Sequence, residues 1–125
     1  MDARLRQLVG QRAAKRCEYC GLAQDQELLP FHVEHVIPRQ HGGAGASDNL
    51  ALACHHCNLH KGPNLAGLDP ETGELTRLFH PRLDNWAQHF ARHEGEITGL
   101  TPVGRTTVRL LRMNDDGRLE LGAGK

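Results

Sequence analysis

Two Cys-x-x-Cys pairs, Cys17-Glu18-Tyr19-Cys20 and Cys54-His55-His56-Cys57, constrain this chain more than any other feature. Two residues between cysteines let both sulfurs of one turn reach a single ion. Zinc takes four tetrahedral ligands, and thiolates are common among them in structural sites. Cys17 and Cys20 are expected to supply half of such a shell from a knuckle, and Cys54 and Cys57 the rest from a turn entering a helix. The 33 residues between the pairs, 21–53, exceed the usual ribbon spacing and are expected to loop out as a strand-loop-strand excursion. A shell made only of sulfur is closed to substrate, so the ion is expected to be structural. The opposing readings are a redox Cys-x-x-Cys and unrelated buried thiols.

Composition supports the need for such a clamp. A chain of 125 residues suits one domain, 1–125, with a modest core. Three Phe, one Trp and one Tyr make that core lean, and a metal then supplies stability that apolar burial cannot. Fifteen basic and fifteen acidic residues give zero formal charge, so whole-molecule charge is no argument for a nucleic-acid partner. Its distribution is uneven: Arg4, Arg6, Arg12, Lys15 and Arg16 crowd the start, and Arg105, Arg109, Arg112 and Arg118 the end. No apolar run approaches the ~18 residues of a membrane span. The N-terminus lacks the apolar segment of a secretory signal. A cytoplasmic setting is therefore expected, where thiols stay reduced and serve as ligands.

Periodicity gives the elements. Residues 3–16 read as an amphipathic helix through Leu5, Leu8, Val9 and Ala13. Residues 28–37 read as a strand closed by Pro38, followed by a glycine-rich loop at 41–46 and a second strand at 50–53. A short helix over 55–61 is ended by Gly62-Pro63. Residues 64–80 read as irregular around a turn at 69–74. Leu83, Trp86, Ala87 and Phe90 predict a helix over 82–93, and 96–100 a short strand. Thr101-Pro102 starts a last helix running to Met113, and the final dozen residues are expected to be loose.

The segment Phe31-His32-Val33-Glu34-His35-Val36-Ile37-Pro38 lies between the cysteine pairs. Gly42-Gly43, Asp48-Asn49-Leu50-Ala51-Leu52, then Cys54-His55-His56-Cys57-Asn58 and Lys61 follow it. In this order, over roughly 17–62, these motifs resemble the HNH endonuclease family, zinc pairs included. The extension over about 63–114, with Leu78-Phe79-His80-Pro81-Arg82, Trp86, His89-Phe90 and Gly99-Leu100-Thr101, resembles one bacterial branch of it. The resemblance implies an α+β fold: a ββα-metal finger stabilised by a four-cysteine zinc site, with flanking N- and C-terminal helices. It maps His35 onto the first motif histidine, Asn49 onto the central asparagine and Asn58 onto the third position. Glu34 fills the slot before the histidine, where Asp is common.

These residue types suit phosphodiester hydrolysis. Imidazole titrates near neutrality, so His35 can take a proton from water. A hard divalent ion, Mg²⁺ or Mn²⁺, takes oxygen ligands, and Glu34 and the Asn58 amide offer two. Such an ion shields charge developing on the phosphate and the leaving 3′-oxygen. Asn49, by the resemblance, fixes the loop and orients the His35 ring. Neighbours on an ideal strand face opposite ways, so Glu34 and His35 reach one phosphate only if the strand ends, twists or bulges near Ile37-Pro38.

Outside this core, His32, Arg39, Lys61, Lys15 and Arg16 are candidates for nucleic-acid contact, each with an ordinary solvated side chain as the alternative. The expected function is a metal-dependent HNH endonuclease acting on DNA, with monomer and homodimer both open. The rivals are a zinc-stabilised nucleic-acid-binding module that does not cut, and a thiol-redox or zinc-storage protein.

Overall fold

A computed structural model describes residues 2–118. The first helix, α1 (Ala3–Arg12), is capped by the Asp2 carboxylate, which accepts from the Arg4 N–H at 2.7 Å. It buries Val9. The helix stops four residues earlier than its periodicity predicts, because Ala14 and Lys15 adopt left-handed backbone (φ 53 and 56) and the Lys15 N–H returns to the Gly10 carbonyl. That reversal aims the chain into the Cys17–Cys20 knuckle.

The central hairpin pairs β1 (His32–His35) with β2 (Leu50–Ala53) antiparallel, with His35 opposite Leu50 and His32 opposite Ala53. β1 is shorter than the strand expected over 28–37. At its start, the Gln24 side chain accepts from the Phe31 N–H and donates to the Leu29 carbonyl; at its end, Asn49 accepts from the Ile37 N–H and donates to the Ile37 carbonyl. Side chains thus replace the ladder at both ends. All four residues of β2 are buried. Its free edge is covered by the knuckle: the Glu18 N–H donates to the Leu52 carbonyl at 2.9 Å, and the Leu52 N–H donates to the Glu18 carboxylate at 2.8 Å. Helix α2 (His55–Lys61) follows with the expected bounds and packs on both strands.

The extension builds two more hairpins. β3 (Ala66–Leu68) pairs with β4 (Leu75–Arg77), where an irregular stretch was expected, around the predicted 69–74 turn. Arg105 grips the buried Asp69 through two nitrogens, at 3.1 and 2.8 Å, and holds its carboxyl at about 2. The helix expected over 82–93 is only one turn, α3 (Trp86–His89). Phe90 then opens β5 (Phe90–His93), which pairs with β6 (Glu96–Gly99) across a two-residue turn. Glu94 and Gly95 both carry positive φ, 49 and 86, the geometry that joins strands with the least splay. Helix α4 (Pro102–Leu110) begins as predicted, with Thr101 Oγ1 accepting from the Gly104 N–H and Pro at the first turn. It ends at Leu110, short of Met113. One buried cluster joins Val9, Tyr19, Leu50, Phe79, Phe90 and Leu111, so the extension packs on the core that carries the hairpin.

Candidate active site and metal centre

The knuckle and the start of α2 bring Cys17, Cys20, Cys54 and Cys57 together. Their sulfurs lie within 4.8 Å of one another, all buried and none in a disulfide. Cys20 and Cys54 Sγ are 3.8 Å apart. A tetrahedron with zinc–sulfur bonds of about 2.3 Å has edges of about 3.8 Å, so the cluster fits a structural zinc ion. Each pair is pre-set by its own backbone: the Cys20 N–H points at Cys17 Sγ and the Cys57 N–H at Cys54 Sγ, at 3.5 and 3.4 Å. Sulfur contacts, Cys17's foremost, hold Cys20 well below the ordinary thiol range and Cys54 at about 7, whereas burial pushes Cys17 and the Cys17 contact pushes Cys57 well above it, so without an ion the four thiols do not all ionise together. Arg118 Nη2 donates to both Cys20 and Cys54 Sγ at 3.3 Å. It thus answers part of the negative charge of a four-thiolate shell. The tail was expected to be loose; Arg118 is its last described residue, and 119–125 lie outside the described residues.

The second site forms where β1 ends. Glu34, His35, Pro38, Arg39, Asn58, Gly62 and Pro63 line one open cleft of about 330 Å³. The strand stops at His35 and the chain turns at Pro38, so neighbouring residues border the same space despite the pleat. The Glu34 carboxylate is nearly buried. One oxygen accepts from the Tyr19 hydroxyl; the other lies 3.7 Å from Lys61 Nζ. Burial pushes the Glu34 carboxyl upward, and the Lys61 charge and the Tyr19 hydrogen bond oppose that. His35 Nε2 is buried without a hydrogen-bond partner among the described residues, and Gly45 passes close to it.

Asn49 staples the loop over this site. Its Oδ1 accepts from the Ile37 N–H at 2.9 Å, and its Nδ2 donates to the Ile37 and Ala44 carbonyls at 2.9 and 2.8 Å. Among the described residues it makes no hydrogen bond to the His35 ring, so it acts on the loop. Gly43 belongs to the same staple, since a Cβ there would lie 1.7 Å from the Ile37 carbonyl oxygen.

The remaining candidates scatter. Arg39 stands at the cleft. His32 sits at the far end of β1, with Nε2 3.2 Å from His55 Nδ1, and does not line the cleft. Lys61 is buried, donating to the Val36 carbonyl at 2.9 Å, so it faces inward to Glu34 rather than outward to a backbone. Lys15 and Arg16 lie in the reversal that follows α1 and do not line the cleft. Sequence reasoning missed Tyr19 and the inward course of Lys61, because each contact joins residues far apart in the chain. A tyrosine between two cysteine ligands carries no pattern that announces a carboxylate partner.

A two-stranded antiparallel hairpin, a following helix and a four-cysteine clamp define a small ββα-metal fold. Residues 17–64 match the family model for HNH endonuclease. The chain is also 27% identical over 106 residues to the Septu protein PtuB of Bacillus thuringiensis. That match covers 83% of this chain but 38% of the relative, so the chain spans well under half of the relative's length. No solved structure matches. No helix among the described residues is long and apolar enough to cross a membrane.

Proposed function

We propose that the chain is a metal-dependent endonuclease that hydrolyses DNA phosphodiester bonds, acting as one unit over 1–125 in the cytoplasm. The observation that carries this reading is the cleft itself. His35, whose buried Nε2 has no hydrogen-bond partner among the described residues, lines one open cleft together with the Glu34 carboxylate, the Asn58 amide and the cationic Arg39. His35 would take the proton of the attacking water through Nε2, a buried nitrogen that no competing hydrogen bond occupies among the described residues.

Glu34 and Asn58 would hold a divalent ion, Mg²⁺ or Mn²⁺. Their oxygens are hard donors, and both residues line the cleft. Such an ion, when bound, stabilises charge on the phosphate and the leaving 3′-oxygen. Tyr19 and Lys61 fix the carboxylate from behind, and Asn49 holds the loop that roofs the imidazole. Arg39 is placed to meet a backbone phosphate. Attack by water leaves a 5′-phosphate and a 3′-hydroxyl. One site cuts one strand, so a single chain nicks.

The test is relaxation of supercoiled plasmid in Mg²⁺, Mn²⁺ or EDTA by wild type and His35→Ala. Metal-dependent nicking lost in the folded, zinc-loaded variant supports the reading. Equal nicking by both proteins removes His35 as the base. DNA binding by wild type without any nicking favours the binding-module rival.

A further inference from the structure

A second cavity, of about 470 Å³, opens against the knuckle at Cys17, Glu18 and Gly21 and shares no lining residue with the His35 cleft. Arg12, Arg16, Arg92, Phe79 and Trp86 contribute to its wall. Its size falls in the range of small-ligand sites. The three arginines share one arrangement. Each guanidinium is anchored through one nitrogen to a neutral backbone carbonyl: Arg12 to Leu50 at 2.8 Å, Arg16 to Gly21 at 3.0 Å, and Arg92 to Cys20. None forms an ion pair with a carboxylate among the described residues.

The two acids in the wall are already committed. Glu18 is held by Arg82 and the Leu52 N–H. Asp84 is held by both Arg77 nitrogens, at 2.7 and 3.1 Å, and by the His80 N–H. The cavity therefore presents three fixed, uncompensated positive charges.

The aromatic side of the wall is equally fixed. The Trp86 Nε1–H donates to the Tyr19 carbonyl at 2.7 Å, and one indole face packs on Phe90, with ring centroids 5.1 Å apart. Guanidinium forks match phosphate oxygens, and an anchored ring offers a stacking platform for a base.

We propose that this cavity binds a nucleotide, its phosphate among Arg12, Arg16 and Arg92 and its base against the Trp86 wall. An acidic peptide would satisfy the charge but has no use for the flat ring. The same nucleotide chemistry comes either from a free nucleotide or from one unit of a nucleic-acid strand. The inference does not depend on cleavage, because no residue of the His35 cleft takes part.

Trp86 is the single tryptophan of the chain, so its fluorescence reports the cavity directly. The experiment titrates the full, zinc-loaded protein at low salt with adenosine 5′-monophosphate, a short oligothymidylate, inorganic phosphate and polyglutamate. Saturable quenching by the monophosphate points to a free nucleotide; quenching by the oligonucleotide alone points to a strand. Either supports the proposal if binding weakens at least tenfold in Arg12→Gln and Arg16→Gln, both exposed positions, with melting temperature unchanged. His35→Ala should bind like wild type, even if no variant nicks DNA. No saturable quenching by either nucleotide probe overturns the proposal. So does equal binding of inorganic phosphate or polyglutamate, or indifference to both arginine substitutions.

Discussion

Lys61 Nζ lies 3.7 Å from a carboxylate oxygen of Glu34, and both side chains are almost wholly buried. Glu34 sits on β1 and Lys61 at the end of α2, so the pair ties the strand that carries His35 to the helix that carries Asn58. Burial opposes each charge alone, raising the Glu34 carboxyl and lowering the Lys61 ammonium. Each charge offsets part of the burial that opposes the other.

Removing one partner should leave a buried charge uncompensated. Lys61→Met is expected to lower stability by about 3 kcal/mol in urea unfolding. Adding Glu34→Gln to that variant should recover part of the loss. Additivity of the two single substitutions, within about 0.5 kcal/mol, would mean the residues do not act as a pair.

Metal and folding are expected to be one event. The purified chain should carry one tightly held zinc, and its removal by a strong chelator should abolish the far-ultraviolet signature of the fold. Cys17→Ser and Cys54→Ser should each do the same without chelator. A native spectrum from metal-free protein would leave the sulfur cluster without a structural role.

The Asn49 staple gives a prediction about the loop. Asn49→Ala deletes three side-chain hydrogen bonds, worth about 1 kcal/mol each, so a stability loss of about 2–3 kcal/mol is expected. Hydrogen exchange should quicken at residues 37–45 ahead of the rest of the chain. Gly43→Ala should reproduce the local effect, because its added methyl meets the Ile37 carbonyl. Uniform acceleration across the whole chain would argue against a local staple.

His35→Ala should reduce Mg²⁺-dependent plasmid nicking about a hundredfold to ten-thousandfold, as loss of a general base does, with melting temperature and zinc content near wild type. Glu34→Gln should instead shift the Mg²⁺ concentration required. A variant at position 35 that cuts at the wild-type rate would require another base.

Much of this was legible from local signals. Cysteine spacing announced the clamp, Gly62-Pro63 ended α2 where expected, and Thr101-Pro102 started α4. The clearest miss was 82–93. Trp86 and Phe90 do pack together, which satisfied a helical period, yet Leu83 stays exposed and Phe90 pairs with Gly99. The Glu94-Gly95 turn decided the outcome, and a single Glu-Gly step is a faint turn signal beside four apolar residues in phase. At the candidate site, the motif residues were readable but their supports were not. Tyr19 and Lys61 meet Glu34 from 15 and 27 positions away, distances at which no periodicity operates.

The sulfur centre touches the chain just before and just after the segment that carries His35, with Cys20 and Cys54 only 3.8 Å apart. That segment is thus a tethered bight whose two feet share one anchor. Its tip, beyond the Ala44 carbonyl held by Asn49, can lengthen at slight entropic expense, about 0.6 kcal/mol for each doubling. New residues grafted there would alter what the cleft meets while leaving the moorings of His35 in place.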